Sequence, residues 1–440
     1  MLNSLPVQYI DLTADELVAA LLGLAEVKPV CLLDSSGVSH LGSHLLIAGI
    51  DAVKTLELRS PDPYSILETF DALLSEKLAA IFTISYELGR KLQGFEPSDD
   101  DIEPDVFMSL FEVLIIHDYN DGTTRLTGNS ARFPAVKKML IEKPVTAPNT
   151  ADLRSLVRAD LTKKEYLESV EVIKERIRQG DTYQTNLTQQ ITAEFADGLT
   201  VPAVFKRLRS THPAPFSAFI IRTNSTVISA SPERFFKLDP GTGHIVTSPI
   251  KGTRPRGKTP QEDADLRQTL LTSAKDRAEN TMIVDLLRND LGRVCEYGSV
   301  KAEKLCDLEE HPSLFHLVST VSGDLRSGIK PSDILKALFP CGSITGAPKI
   351  STMRIIDEIE PSPRGLSMGA IGYYVPPISF GIPERIDTSV AIRTMVVHDR
   401  TAVFNVGGGI VIDSHPVAEY EETLTKATAL LTAINGRLEN

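Results

Sequence analysis

Apolar positions recur at helical spacing over 12–24 (LTADELVAALLGL), which predicts an amphipathic helix capped by Thr13, with acids in its first turn. The runs VCLLDSS (30–36) and VFMSLFEVLIIHDY (106–119) are apolar without helical gaps and read as strands. A stretch rich in Pro, Thr and Asn, EKPVTAPNTAD (142–152), then reads as a linker. Beyond it a helix begins sharply. Thr162 and Glu165 form a capping box, Tyr166, Val170, Ile173 and Ile177 make one apolar stripe, and Gly180 closes the turn. Strands and helices alternate from there to about residue 435. Two of the later helices, roughly 274–290 and the one after Pro416, carry acids at helical spacing. No internal repeat is visible, and the pattern divides the chain into regions 1–145 and 155–437.

Composition changes this picture little. A chain of 440 residues, 42% apolar and 24% charged, buries a core without staples. The net charge of −12 argues against nucleic acid as the main partner, because phosphate binding needs a basic field. It leaves room for a small anion held by a few local cations. Cys31, Cys295, Cys306 and Cys341 form no C-x-x-C pair, so neither zinc nor a disulfide framework is expected, and reduced thiols point to a cytoplasmic protein. The N-terminal residues lack the features of a secretory signal. No apolar run approaches the roughly 20 residues that a membrane helix needs.

The chemistry-bearing residues fall into a few groups. Asp276 and Glu279 stand at i, i+3 on one helix, and Glu419, Glu422 and Lys426 at i, i+3, i+7 on another. Two helices with paired acids suit Mg²⁺, a hard ion that takes one or two carboxylates plus water and substrate oxygens. Glu279 and Glu422 would be the direct ligands, with Asp276 and Glu419 holding water. The competing reading is two solvated helix faces, with Glu422 and Lys426 as an ordinary i, i+4 ion pair. In SPIKGTRPRG (248–257), an apolar approach to Lys251 followed by Gly252 suggests a strand end that delivers a lysine into a cavity. A surface basic loop is the alternative. Gly407, Gly408 and Gly409 either let backbone N–H groups approach an anion or mark a bulged strand. Thr345 and the amides of SITGAPK either meet a ligand or form a plain strand-to-helix turn. Arg393, in AIRT, reads as lying within an apolar strand, where a guanidinium requires a carboxylate from protein or ligand. His316, in LFHLVS, reads as half-buried.

The order and wording of the motifs carry further information. SPERF, PIKGTRPRG, DRAENTMIVDLLRNDLGRV, HLVSTVSGDL, GSITGAPK, GAIGYY, IRT, GGGIVIDS and EYEET occur in this sequence order, and the chain resembles the chorismate-utilising enzyme family. The resemblance is dense over 155–435 and thinner, at LLDSSG and ISYELGRKL, before it. It implies an α+β fold in which two large antiparallel sheets form a sandwich flanked by helices, as in anthranilate synthase component I, with the site between the sheets. It implies Mg²⁺ at Glu279 and Glu422, supported by Asp276 and Glu419, bridging the ring carboxylate of chorismate. Arg393 with the backbone of Gly407 and Gly409 would take the side-chain carboxylate, Thr345 and Gly346 would touch the ring carboxylate region, and His316 would lie near the reacting ring.

Within that family two positions separate the reactions. Members that add water carry a lysine where this chain has Gln184, and an amide is no general base near neutral pH. Ammonia is therefore the expected nucleophile. Members that form anthranilate carry alanine in PIAGT, whereas those that aminate chorismate at C4 carry lysine, as Lys251 stands in PIKGT here. The resemblance gives Lys251 a covalent role and makes Glu233 of SPERF the acid that protonates the departing hydroxyl. Formation of anthranilate or amination at C2 are the alternatives. No G-x-C-x-G glutaminase signature is found, so a separate glutamine amidotransferase subunit supplying ammonia is the implied partner. Two departures stand out: Ser367 in RGLSMG replaces a usual aromatic, and Asp34 in LLDSSG replaces the glutamate of the family's tryptophan pocket.

Overall fold

The computed structural model describes residues 6–40, 42–97, 102–141, 154–310, 314–376, 380 and 385–438. The expected linker at 142–152 lies outside the described residues.

Strands buried on both faces read as continuous apolar runs, and here two antiparallel sheets bury them. One has twelve strands and the other ten among the described residues. Pleating sends alternate side chains to opposite faces. In Val30–Asp34, Val30 and Leu32 join a core shared with outer helices, while Cys31 and Leu33 face the second sheet. In Ala79–Ile84 of the other sheet, Ala79 and Ile81 face inward, and Ala80, Phe82 and Ile84 pack beneath helices. The core between the sheets is completed by Ile47, Phe107, Phe111, Ile116, Ile220 and Ile371. Helices cover both outer faces: Ala14–Leu24, Val201–Thr211 and Pro416–Ala433 on the larger sheet, Pro63–Leu74, Ala274–Gly292 and Pro331–Leu338 on the smaller. The α+β sandwich is therefore the observed architecture. Both sheets draw strands from either side of 142–152.

The local signals hold where they are strongest. Thr13 and Thr162 each close a capping box, the latter with Thr162 N–H donating to Glu165 at 2.8 Å, and Gly180 ends its helix at φ +84°. The run 106–119 is two strands in different sheets, Val106–Phe111 in the smaller and Val113–Asp118 in the larger, with Glu112 between them.

Two other passages between the sheets position the site. The chain leaves the larger sheet at Thr226–Ser231, crosses through Pro232 and Glu233, and enters the smaller at Arg234–Asp239. It leaves the smaller sheet at Arg385–Val390 and crosses back to Thr394–His398 through Arg393. The crossings lie side by side. The Val390 N–H donates to Glu233 O at 3.0 Å, the Ala230 N–H to Arg393 O at 3.0 Å, and the Ser231 hydroxyl to Val390 O at 2.6 Å. Arg393 is thus not inside a strand, as the sequence suggested. It occupies a bend at φ +49°, because the chain must change sheets there.

The glycine run is no bulge. Gly407, Gly408 and Gly409 pair in unbroken register with Thr188, Leu187 and Asn186 of Gln184–Glu194. A methyl at 407 would lie 1.9 Å from Leu187 O, so close approach of two backbones excludes any side chain. Gly407→Ala is expected to destabilise the fold by about 3 kcal/mol, read as a lowered midpoint of urea unfolding with unchanged slope.

Candidate active site

The acids lie on facing helices. The Ala274–Gly292 helix begins at Ser273, whose hydroxyl accepts the Asp276 N–H at 3.2 Å, and this sets Asp276 and Glu279, both half-buried, on its first turns. The Pro416–Ala433 helix starts with proline in its first turn and carries Glu419 and Glu422. Lys275 ties the helices together, its ammonium 3.3 Å from Glu419 and 3.9 Å from Glu279. Each remaining acid has its own cation: Arg254 donates to Asp276 at 2.9 Å, and Lys426 to Glu422 at 2.8 Å. The i, i+4 pair anticipated as the plain alternative therefore exists. Burial raises the Glu279 carboxyl above its ordinary range despite Lys251 and Lys275. Partial desolvation also pushes Glu422 upward, though its side chain is 52% exposed, and Lys426, Lys275 and Lys251 outweigh it and hold that carboxyl low.

These residues fit Mg²⁺ in one specific respect. Glu279 Oε1 is buried with no hydrogen-bond partner among the described residues, an orphaned hard oxygen beside other carboxylates. No three described His, Cys, Asp or Glu side chains gather tightly enough to enclose a metal by themselves. Mg²⁺ does not require that, since it keeps several waters and takes substrate oxygens.

Lys251 sits near the start of the strand Ile250–Pro255, not at a strand end, and it is half-buried. Its ammonium donates to Ser343 O at 3.2 Å. A methyl built on Gly409 would lie 3.6 Å from Lys251 Nζ and 2.3 Å from Gln184 Nε2, so the missing side chain at 409 lets these groups share one wall. Gly408 in turn faces Glu419, Glu422 and Lys426. Gln184 is fully buried, yet neither its amide N nor its O has a partner among the described residues. Buried amides are normally satisfied, so this one is open to a ligand.

Glu233, at the crossing, is buried beside Lys251 and Ser343, and burial pushes its carboxyl from 4.5 up to about 6. One of its oxygens has no hydrogen-bond partner among the described residues. His316 is buried, not half-buried, because its strand Leu314–Asp324 is covered on both sides by Ile250–Pro255 and Lys301–Glu310. Thr253, opposite it in register, fixes the ring through a 2.8 Å bond to Nδ1. Arg393 meets no carboxylate among the described residues, and desolvation lowers its pKa. The Thr345 hydroxyl turns back to Cys341 O at 3.0 Å, while Gly346 packs so closely that a methyl would lie 2.0 Å from Gln184 O. The structure thus gathers Lys251, Gln184, Gly409, Glu233 and the four acids, with Arg393 on the adjoining crossing. Ser343, Thr253, Arg254 and Lys275 were missed from sequence. Lys275 alone had a signal, its i, i+4 spacing to Glu279.

The LLDSSG motif lies apart. Asp34 accepts from the Ser36 N–H at 2.7 Å, the Tyr119 hydroxyl at 2.8 Å and Arg209 Nε at 2.7 Å.

Known proteins share this chain's sequence pattern and fold. The family of chorismate binding enzymes matches residues 29–432. Component 1 of aminodeoxychorismate synthase from Klebsiella aerogenes is 42% identical over 80% of this chain and 76% of its own. An anthranilate synthase component 1 from Haloarcula marismortui is 37% identical over 84% of this chain and 76% of its own. Among solved structures, anthranilate synthase component I from Streptococcus pneumoniae superimposes with a TM-score of 0.74 at 28% identity, covering 89% of this chain and 93% of that one.

Glu233 gives a test of the site's electrostatics. Between pH 4.5 and about 6 the folded chain keeps a proton there that the unfolded chain has released, so stability falls as pH rises through this window. Glu233→Gln, neutral throughout, escapes the loss. Relative to the parent it is expected to gain about 2 kcal/mol between pH 4.5 and 7, measured by urea unfolding across that range. A difference that does not vary with pH would place the carboxyl in the ordinary range.

Proposed function

The chain belongs to the family of chorismate-binding enzymes, and we propose that it is the component that replaces the C4 hydroxyl of chorismate with an amine, as in aminodeoxychorismate synthase component 1. The observation that carries this reading is Lys251 beside Glu233 and Gln184, with no general base at position 184 to activate water. Relatives named for this reaction at 42%, 39% and 38% identity support it.

The residues divide the work. Lys251 gives a proton to the neighbouring Glu233 carboxylate and its neutral Nζ attacks C2 of chorismate, the ring double bonds shift, and the C4–O bond breaks. Glu233, whose affinity for a proton is raised by burial, passes the proton taken from Lys251 to the departing oxygen so that water leaves. Ammonia then forms the new bond to C4, the double bonds shift back, and the Nζ–C2 bond breaks. Splitting one displacement into two is what a covalent lysine contributes. Gln184 orients the ring by its unpaired amide, and His316, fixed by Thr253, packs beside it. Arg393 and the N–H groups around Gly407 and Gly409 receive the side-chain carboxylate, with Thr345 and Gly346 along the ring carboxylate side. Glu279 and Glu422 would hold Mg²⁺, with Asp276 and Glu419 behind them, and the bound ion would neutralise and orient the ring carboxylate.

Component 1 implies a second component. The chemistry requires free ammonia, which is scarce at neutral pH, so the partner is a glutamine amidotransferase subunit. No helix of the described residues is long and apolar enough to cross a membrane, and a cytoplasmic setting is consistent with four unpaired cysteines.

Incubating the chain with chorismate, MgCl₂ and ammonium at mildly alkaline pH is expected to yield a product with OH replaced by NH₂, by chromatography with mass detection. An added lyase should convert it to 4-aminobenzoate. Lys251→Ala is expected to lower kcat by about 10³-fold. Direct release of anthranilate and pyruvate would overturn the reading.

A further inference from the structure

Among the described residues, Lys275 forms ion pairs with an acid from each helix. Its ammonium lies 3.3 Å from Glu419 and 3.9 Å from Glu279, whose Oε1 has no hydrogen-bond partner among the described residues. Asp276 and Glu422 are served separately by Arg254 and Lys426. Without Lys275, two buried carboxylates on facing helices would oppose each other across a partly dry gap, an arrangement that costs stability. The Lys275 side chain is about half exposed, at 49%. Its stem is flexible, so the ammonium can leave for solvent without moving the helix.

We propose that Lys275 is a tethered counter-ion for the metal-free site. Its ammonium holds the two acidic helices together while no Mg²⁺ is bound, and it swings out when the ion arrives. The inference rests on the reading that Glu279 and Glu422 bind Mg²⁺. The Lys275 ammonium lies 3.9 Å from Glu279 Oε1, the orphaned oxygen that a divalent ion would take, and two cations there repel, so whatever Lys275 contributes to the metal-free chain is subtracted from metal affinity. The site is thereby kept assembled at some loss of affinity.

The test is calorimetric titration of MgCl₂ into the full chain without chorismate, with thermal unfolding followed in parallel by circular dichroism. Lys275→Met is expected to bind Mg²⁺ roughly fivefold more tightly, the scale of a partly exposed ion pair. Its metal-free Tm should fall, and saturating MgCl₂ should restore it. Lys275→Arg, which keeps the charge, should bind like the parent. Lys275→Gln serves as the second neutral variant if the methionine variant does not fold. Unchanged or weaker Mg²⁺ binding in the neutral variants, while the parent binds and Glu279→Gln does not, overturns the counter-ion role and leaves the metal assignment standing. Absence of binding by the folded parent and by the neutral variants overturns the metal assignment and this inference together.

Discussion

Two short passages of backbone, Ser231 to Arg234 and Val390 to Thr394, decide where the rest of the molecule can sit. Each carries the chain from one sheet to the other, and hydrogen bonds at 3.0 Å between them lock the pair. Side chains in a sheet alternate with a period of two, so a slip of one residue at either crossing would turn a buried face outward in both sheets. The lock tolerates strain. Arg393 at φ +49° and Met368 at φ +65° are non-glycine residues in the left-handed region. They are tied to one stretch, since the Met368 N–H donates to Ala391 O at 2.9 Å and Ala391 donates to Gly369 O at 2.8 Å. Glu233 owes its burial, and Arg393 its half-buried place, to these crossings, and desolvation is what moves both from their ordinary acidity.

The charges around the site are unevenly matched, and the mismatch describes what is meant to enter. Asp276, Glu279, Glu419 and Glu422 are met by Arg254, Lys251, Lys275 and Lys426. Arg393 is desolvated with no carboxylate among the described residues, and Gln184 is buried with its amide unanswered. A protein interior rarely leaves a cation and an amide in that condition unless a ligand completes them. A carboxylate would answer the first and a polar ring substituent the second.

Much of this was legible in the residues, and the pattern of failure is physical. Capping boxes and helix stripes are local, so Thr13, Thr162 and Gly180 behave as their spacing says. Apolar runs announce strands but not their sheet, which is why 106–119 hid a change of sheet at Glu112 and why Arg393 read as part of a strand. The glycine run offered two physical readings, and the deciding fact, Leu187 O at 1.9 Å from a methyl at 407, belongs to another strand. Motif wording singles out Lys251 and Glu233, whereas the bonds of Ser343, Thr253 and Arg254, which stand in the same or neighbouring motifs, are tertiary and have no sequence spacing to betray them.

The site is also scattered along the chain in a way that bears on how it comes into being. Gln184 and Gly409, 225 positions apart in number, are neighbours on adjacent strands, and Lys251 reaches them from the other sheet. The strands before residue 142 make up one end of each sheet and join the rest only where Val30–Asp34 pairs with Phe216–Ile221 and Ala79–Ile84 with Ala370–Val375, so neither sheet is complete until distant segments have met. Pairings of such long sequence separation form late and slowly, since loop closure must precede any gain from contact. No fragment released early from the ribosome holds a complete set of reacting groups. The onset of catalysis during refolding is therefore a clock for the last long-range closure, and a chain that is helical and compact but inactive is one in which the two sheets have not yet been joined.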